Sequence, residues 1–371
     1  MKSIFNSQSL SALVQWWTDL QHHKSKTLVL ACVLSLLVLS MWAALQAGAV
    51  GIDRNDWFAM LTADRSTNMP SQTDVVLHGN AFVLWYLRVP RVVLAVLIGA
   101  ALGLSGTLVQ GLFRNPLADP SLLGVTTGAA CAAALTIVLL SERSLGMSVS
   151  LRVWLLPIVS FLGAFLTCMA LNLSVRWLTP GSIAGLLLLG IALNALGVAV
   201  IGLCTYLATD EQLRSLSFWT LGSLSGASWT MVLSFIPVLT MICIGSNRFA
   251  HQLNALSLGE TTAKHLGIAL PRLRWSISVM VALLSGLSVA FCGVIGFIGL
   301  IAPHLARALV GADQRILLPL SMLVGALLML AADTMARTVA IPAEVPVGIF
   351  TALLGGPFLM LLLYTKHQRD D

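Results

Sequence analysis

Ten stretches of this chain are apolar for long enough to cross a lipid bilayer, and that constrains its fold more than any other feature. At 1.5 Å per residue, about 20 residues are needed to cross about 30 Å of hydrocarbon. The stretches lie near 28–49, 91–113, 121–140, 153–177, 185–208, 229–246, 274–292, 296–311, 316–333 and 346–364. Of 371 residues 57% are hydrophobic and 10% charged, and one soluble core of this size has no place for so much apolar surface. The expected class is therefore all-α, a polytopic membrane protein of about ten helices. The eighth stretch is interrupted by Gly296, Gly299 and Pro303. Such breaks are tolerated only where neighbouring protein or a cavity satisfies the freed backbone groups.

Charge sets the expected orientation. With ten spans and both termini in the cytoplasm, all five lysines (Lys2, Lys24, Lys26, Lys264 and Lys366) fall inside. Thirteen of the 21 basic residues are then inside and eight, all arginine, outside, the usual inward bias of positive charge. The expected division is a cytoplasmic tail over 1–27, a transmembrane domain over 28–366 and a short cytoplasmic tail over 367–371. Trp16, Trp17 and the basic group His22 to Lys26 leave two readings of the first tail, an interfacial helix or a loose arm. No removable leader is expected, because the apolar run from Thr27 is too long for one. The six cysteines stand singly in apolar runs and read as small core residues.

Some chemistry is missing. No Gly-Lys pair occurs, so there is no phosphate-cradling loop for ATP. The seven histidines have no metal-binding spacing, and no cofactor, resident metal or nucleic-acid partner is expected. Mid-span polar residues are neutral: Ser105, Thr107, Gln110, Asn172 and Asn194. These read as helix–helix hydrogen bonds ahead of substrate ligands. Ion-coupled carriers keep intramembrane carboxylates or histidines, so the pattern favours a conduit driven by a separate engine. A secondary carrier and a structural scaffold remain the rival classes. Gly106 and Pro116, and again Gly293 and Pro303, stand ten apart, a weak echo of an internal repeat.

Between the second and third stretches lies Phe113-Arg114-Asn115-Pro116-Leu117-Ala118-Asp119-Pro120-Ser121-Leu122-Leu123-Gly124-Val125. Two prolines enforce a turn, and Ser121 is placed to cap the helix after it. The string closely resembles the signature of the FecCD-type family, permeases of ABC importers for iron-siderophores, haem and cobalamin. Six further elements follow in that family's order: Arg88-Val89-Pro90-Arg91, Phe218 to Leu224, Leu256 to Gly267, Gly296 to His304, Ala332 to Arg337, and Glu344 to Gly348. The resemblance runs from about residue 85 to the C-terminus.

The resemblance implies a permease in a bacterial inner membrane, working as a dimer with two cytoplasmic ATPase subunits and a periplasmic substrate-binding protein. A homodimer is the first expectation, and the haem branch is favoured over siderophore or cobalamin. It also implies an ATPase-coupling segment over about 252–268, with Leu256, Leu258, Gly259, Glu260, Ala263, Leu266 and Gly267; the plain alternative is a solvated connector. Docking of the binding protein falls to Arg88 and Arg337. The alternatives there are snorkelling to headgroups, or for Arg337 a pair with Asp333 one turn earlier. Thr126, Thr127, Gly128, Ser182 and Gly185 are small and weakly polar. They suit either a translocation path or tight helix packing.

Overall fold

The computed structural model describes residues 7–48, 50, 51, 57, 79–140, 149–179 and 182–370. Within them the chain forms twelve α-helices: α1 Ser7–Gln46, α2 Val89–Phe113, α3 Val125–Leu135, α4 Val149–Leu178, α5 Ile183–Leu207, α6 Asp210–Thr220, α7 Trp229–Ser257, α8 Glu260–His265, α9 Leu270–Cys292, α10 Ile298–Val310, α11 Gln314–Thr338 and α12 Val347–Asp370. π-helical turns at Val83–Arg88 and Thr136–Leu140 extend α2 and α3. Seven helices are long and apolar enough to span a membrane. Shorter apolar helices at Val125–Leu140, Ile298–Val310 and Val347–Leu362 bring the set to ten, as the sequence predicts.

The bundle is organised around α2. Most of this helix is buried, and it packs against α7, α9, α10 and α11. Glycine makes this crowding sterically feasible. A Cβ built at Gly99 would overlap the carbonyl oxygen of Gly325 on α11, and one at Gly103 that of Ser321; at Gly106 it would overlap the carbonyl of Gly299 on α10. Close backbone approach through small residues is how helices gain contact in lipid, where apolar side chains have no preference for one another. Polar side chains add cross-links. Ser285 and Ser105 meet at 3.0 Å, Gln110 Nε2 donates to the Leu300 carbonyl at 3.2 Å, and Asn194 Nδ2 donates to the Ser121 carbonyl at 3.3 Å. Thr107 and Asn172 instead bond to carbonyls one turn back in their own helices.

Several expectations are corrected. The first span continues without a break into the segment read as a tail, because α1 is a single 40-residue helix. The seventh helix runs to Ser257, well beyond 246. Its buried stripe of Ser246, Ala250, Leu253 and Leu256 keeps helical spacing while Arg248 and His251 stand exposed, and a hydropathy window averages the two faces away. Helix α6 lies in a stretch with no predicted span, opened by a reciprocal cap between Thr209 and Gln212. Asp119, not Ser121, caps the turn after α2, accepting the Ser121 N–H at 2.8 Å. The repeat fails: Gly106 is mid-helix and Gly293 a helix C-cap, while Pro116 lies in a turn and Pro303 inside α10.

Gly106→Ala is expected to cost about 1–3 kcal/mol through overpacking. It should lower the melting temperature of the detergent-purified protein. Gly202→Ala, with nothing within 4 Å of the added Cβ, should not.

Candidate functional site

Two polar clusters stand at opposite ends of α2. At its C-terminal end, α7 and α9 are joined by the short helix α8. Gly259 enters α8 with φ +116°, and Gly267 leaves it with φ +79°, both in the region that favours glycine. Glu260 opens α8 at the positive end of its dipole, and Lys264 and His265 close it at the negative end. Leu256 and Ala263 are fully buried and fasten the segment to the bundle. Leu258 and Leu266 are 71% and 63% exposed, and nothing else crowds a Cβ at Gly267. The predicted apolar face thus divides: two residues anchor the segment and two project from it.

Glu260 is its electrostatic centre. Arg274 Nη2 donates to Glu260 Oε1 at 2.9 Å, and Arg114 Nη2 approaches the same oxygen at 3.8 Å. Arg114 is the C-cap of α2 in a left-handed conformation, φ 52°, and it begins the Arg-Asn-Pro turn. That turn is stiffened by Asn115 Oδ1, which accepts the Leu117 N–H at 2.9 Å. Nearby, Asp313 caps α11 and takes a 2.8 Å bond from Asn254 of α7. Burial alone would raise the Asp313 carboxyl. Bonds from Asn254 and the Arg315 N–H, with the charges of Arg315 and Lys26, outweigh it and hold the carboxyl below its ordinary value.

At the other end of α2, Arg91 donates from Nε to Asp333 Oδ1 at 3.0 Å and from Nη1 to Glu344 Oε1 at 2.8 Å. Asp333 also faces Arg337 across 3.5 Å. Arg88 and Arg337 are both buried and both close the C-terminus of α1. Arg88 Nη1 donates to the Leu45 and Gln46 carbonyls at 2.9 and 3.3 Å, and Arg337 Nη1 to Ala47 at 2.8 Å. Further bonds run from Arg88 to Val50 and from Arg337 to Ala44. These carbonyls have no partner within the helix, and cations at a helix C-terminus are favourable.

The small residues read as a path stand at helix crossings. A Cβ at Gly128 would overlap Thr167 of α4, and one at Gly185 would overlap Thr179. The Thr127 methyl lies where a side chain on Gly197 of α5 would go. Ser182 caps α5 by accepting the Gly185 N–H at 3.0 Å. Thr126 and Ser182 stay half-buried.

The sequence matches the FecCD transport family over residues 36–365. The chain belongs to that family. It is 43% identical to the hemin transport system permease protein HmuU of Yersinia pestis, across 92% of this chain and 97% of that one. It is 40% identical to the vitamin B12 import system permease protein BtuC of Vibrio cholerae, across 77% and 84%. Its fold matches a solved inward-facing transporter described as of the metal-chelate ABC type. That match has a TM-score of 0.77 and 34% identity, over 91% of this chain and 99% of that one. The chain is therefore an ABC importer permease of the FecCD family.

Within that family frame, the partners of Glu260 and the pairing of Arg91 with Asp333 and Glu344 are what sequence reasoning missed, whereas the Arg337–Asp333 pair was among its alternatives. Arg274 lies outside the recognised motifs; Arg91, Arg114, Asp333 and Glu344 stand within them, but Arg91 is 242 residues from Asp333 and 253 from Glu344, and no local pattern pairs them. Arg337→Gln is expected to destabilise the permease by about 3–5 kcal/mol, since it removes a partner of the buried Asp333 and uncaps α1. A lower melting temperature and lower membrane abundance should report this without any partner protein present.

Proposed function

We propose that this permease forms the membrane path of a binding-protein-dependent importer for an iron chelate, haem before the others. The observation that carries the reading is its 43% identity to a hemin permease, nearly end to end. In this proposal a homodimer sits in a bacterial inner membrane with both termini and α8 in the cytoplasm. Two separate ATPase subunits supply the energy. Leu258 and Leu266 form the projecting apolar pair that each ATPase receives in a groove. The mooring of Glu260 to Arg114 and Arg274 transmits its movement to α2 and α9.

A periplasmic binding protein would deliver the chelate to the face carrying α6 and the arginine cluster. Arg88 and Arg337 hold that face in shape, and direct docking contacts through them would require release of the α1 carbonyls. The path runs between permease copies along the α3–α5 side, where Thr126 and Ser182 remain partly open. Cysteine at either position should react with a water-soluble maleimide in a nucleotide-dependent way. Protection in every nucleotide state would assign both to packing.

Uptake into proteoliposomes holding the permease, its ATPase and its binding protein tests the whole reading. Haem uptake should require ATP and stop with vanadate, and neither cobalamin nor a ferric siderophore should compete. Competition by cobalamin would move the substrate toward that of the Vibrio cholerae relative. Uptake that tracks a proton gradient and ignores loss of the ATPase would overturn the proposal. In the same system Glu260→Lys should cut transport at least tenfold while ATP hydrolysis and membrane insertion persist, the loss of about 1.4 kcal/mol of coupling or more. Wild-type transport by this variant would remove the coupling role.

A further inference from the structure

One cavity adjoins the mooring of α8 and shares Arg274 with it. About 770 Å³ of space opens between the C-terminal turns of α4 and the N-terminal turns of α5 and α9. Apolar Leu173, Val175, Leu186 and Pro271 line it together with the cationic Arg176, Arg272 and Arg274. Trp275 on its wall is 45% exposed and the adjacent Trp177 83%. Exposed tryptophans at helix ends mark the depth of the membrane–water boundary. A groove there lined by both apolar side chains and guanidiniums offers surface to an acyl chain and to a headgroup.

The charge distribution identifies the headgroup. The aligned peptide dipoles make the first turn of a helix positive, which favours an anion there. Helix α9 has no acid there and no side-chain cap, and Arg272 and Arg274 follow within its first turn and a half. Only Arg274 is compensated, by Glu260. Among the described residues neither Arg176 nor Arg272 has a carboxylate within ion-pairing distance. Two guanidiniums and a positive helix end thus border one largely apolar groove. Arginine's planar fork and free helix N–H groups both suit phosphate.

We infer that this groove binds the phosphate of an anionic phospholipid, held by Arg176 and Arg272 with its acyl chains along Leu173 and Leu186. Arg274 lies between that phosphate and Glu260, so the lipid adjoins the mooring of α8. The inference needs only that the chain spans a membrane and does not depend on the substrate. An acidic surface of a soluble partner is the competing occupant. The apolar lining and the exposed tryptophans favour lipid.

The test uses the delipidated full-length permease with phosphatidylglycerol, and phosphatidylcholine as the neutral control. Phosphatidylglycerol should raise the melting temperature, and intact-protein mass spectrometry should show it retained; phosphatidylcholine should do neither. Each arginine at the membrane surface contributes about 1 kcal/mol toward anionic lipid, so Arg176→Gln with Arg272→Gln should weaken retention roughly thirtyfold. Arg248→Gln, outside the groove, should leave it unchanged. Single Arg272→Gln and Arg272→Lys variants keep the test decisive if the double variant folds poorly: the first should lose several-fold and the second should recover part of it. Wild-type retention by both Arg272→Gln and the double variant would overturn the inference. Equal protection by inorganic phosphate would also overturn it, and so would loss of ATPase-subunit binding by the Arg272→Gln variant, relative to the unsubstituted permease, in lipid-free detergent.

Discussion

The constraint on which the structure depends is the absence of side chains along one row of α2. Gly99, Gly103 and Gly106 bring its backbone against the carbonyls of α11 and α10. Helix α11 reciprocates with Gly325, where an added Cβ would overlap the carbonyl of Gly99. In water such a core would be held by apolar burial, but lipid tails are as apolar as leucine. Here van der Waals contact and a few hydrogen bonds must order the helices. Contact of that kind falls away steeply with distance, so a helix that cannot approach contributes little. The glycine row decides which helices surround α2, and thereby where both polar clusters stand.

Those clusters are the two ends of one rod. The 25 residues of α2 span about 37 Å at the α-helical rise, close to the thickness of a membrane. Arg91 at one end meets Asp333 and Glu344, and Arg114 at the other meets Glu260. The arginine cluster also explains why that face uses arginine and no lysine. Closing the C-terminus of α1 takes several donors fanned over successive carbonyls, and a guanidinium presents five in a fixed plane where an ammonium presents three at a point. Gly48, with φ +146°, leaves the space that Arg88 occupies; a Cβ there would come within 2.7 Å of Arg88 Nη2.

The sequence is informative wherever the physics is local. Span number follows from apolar length, the break at Gly259 from residue type, and the Arg-Asn-Pro turn from its prolines. The polar half of α7 escaped because its burial is a stripe of one residue in three or four, visible only once α11 and the turn at Asp313 lie beside it. Helix α6 is legible in principle from the cap signature Thr209-Asp210-Glu211-Gln212, but at 11 residues it is too short and polar to register as a span. The pairings of Arg91, Arg114 and Arg274 were not legible, because pairing across a bundle depends on which helices are neighbours. Small residues pose the same problem: Thr127, Gly128 and Gly185 fit a conduit or a crossing equally well by type. Placed in the bundle, Gly128 and Gly185 leave no space for a Cβ.

The mooring of α8 has a mechanical consequence. Its two glycine hinges make it free to tilt, yet Ala263 and Leu256 are buried and Glu260 faces arginines from two different helices. A load on the projecting Leu258 and Leu266 is therefore not absorbed within the loop. It passes to the C-terminus of α2 and the N-terminus of α9. Helix α2 cannot slide alone, because its glycines interlock with Gly325 and Gly299, so displacement at Arg114 carries α10 and α11 with it. Close-packed interfaces move between discrete arrangements more readily than they deform continuously. In the coupling role proposed for α8, a bundle built this way answers a push on one face as a few rigid helices turning together.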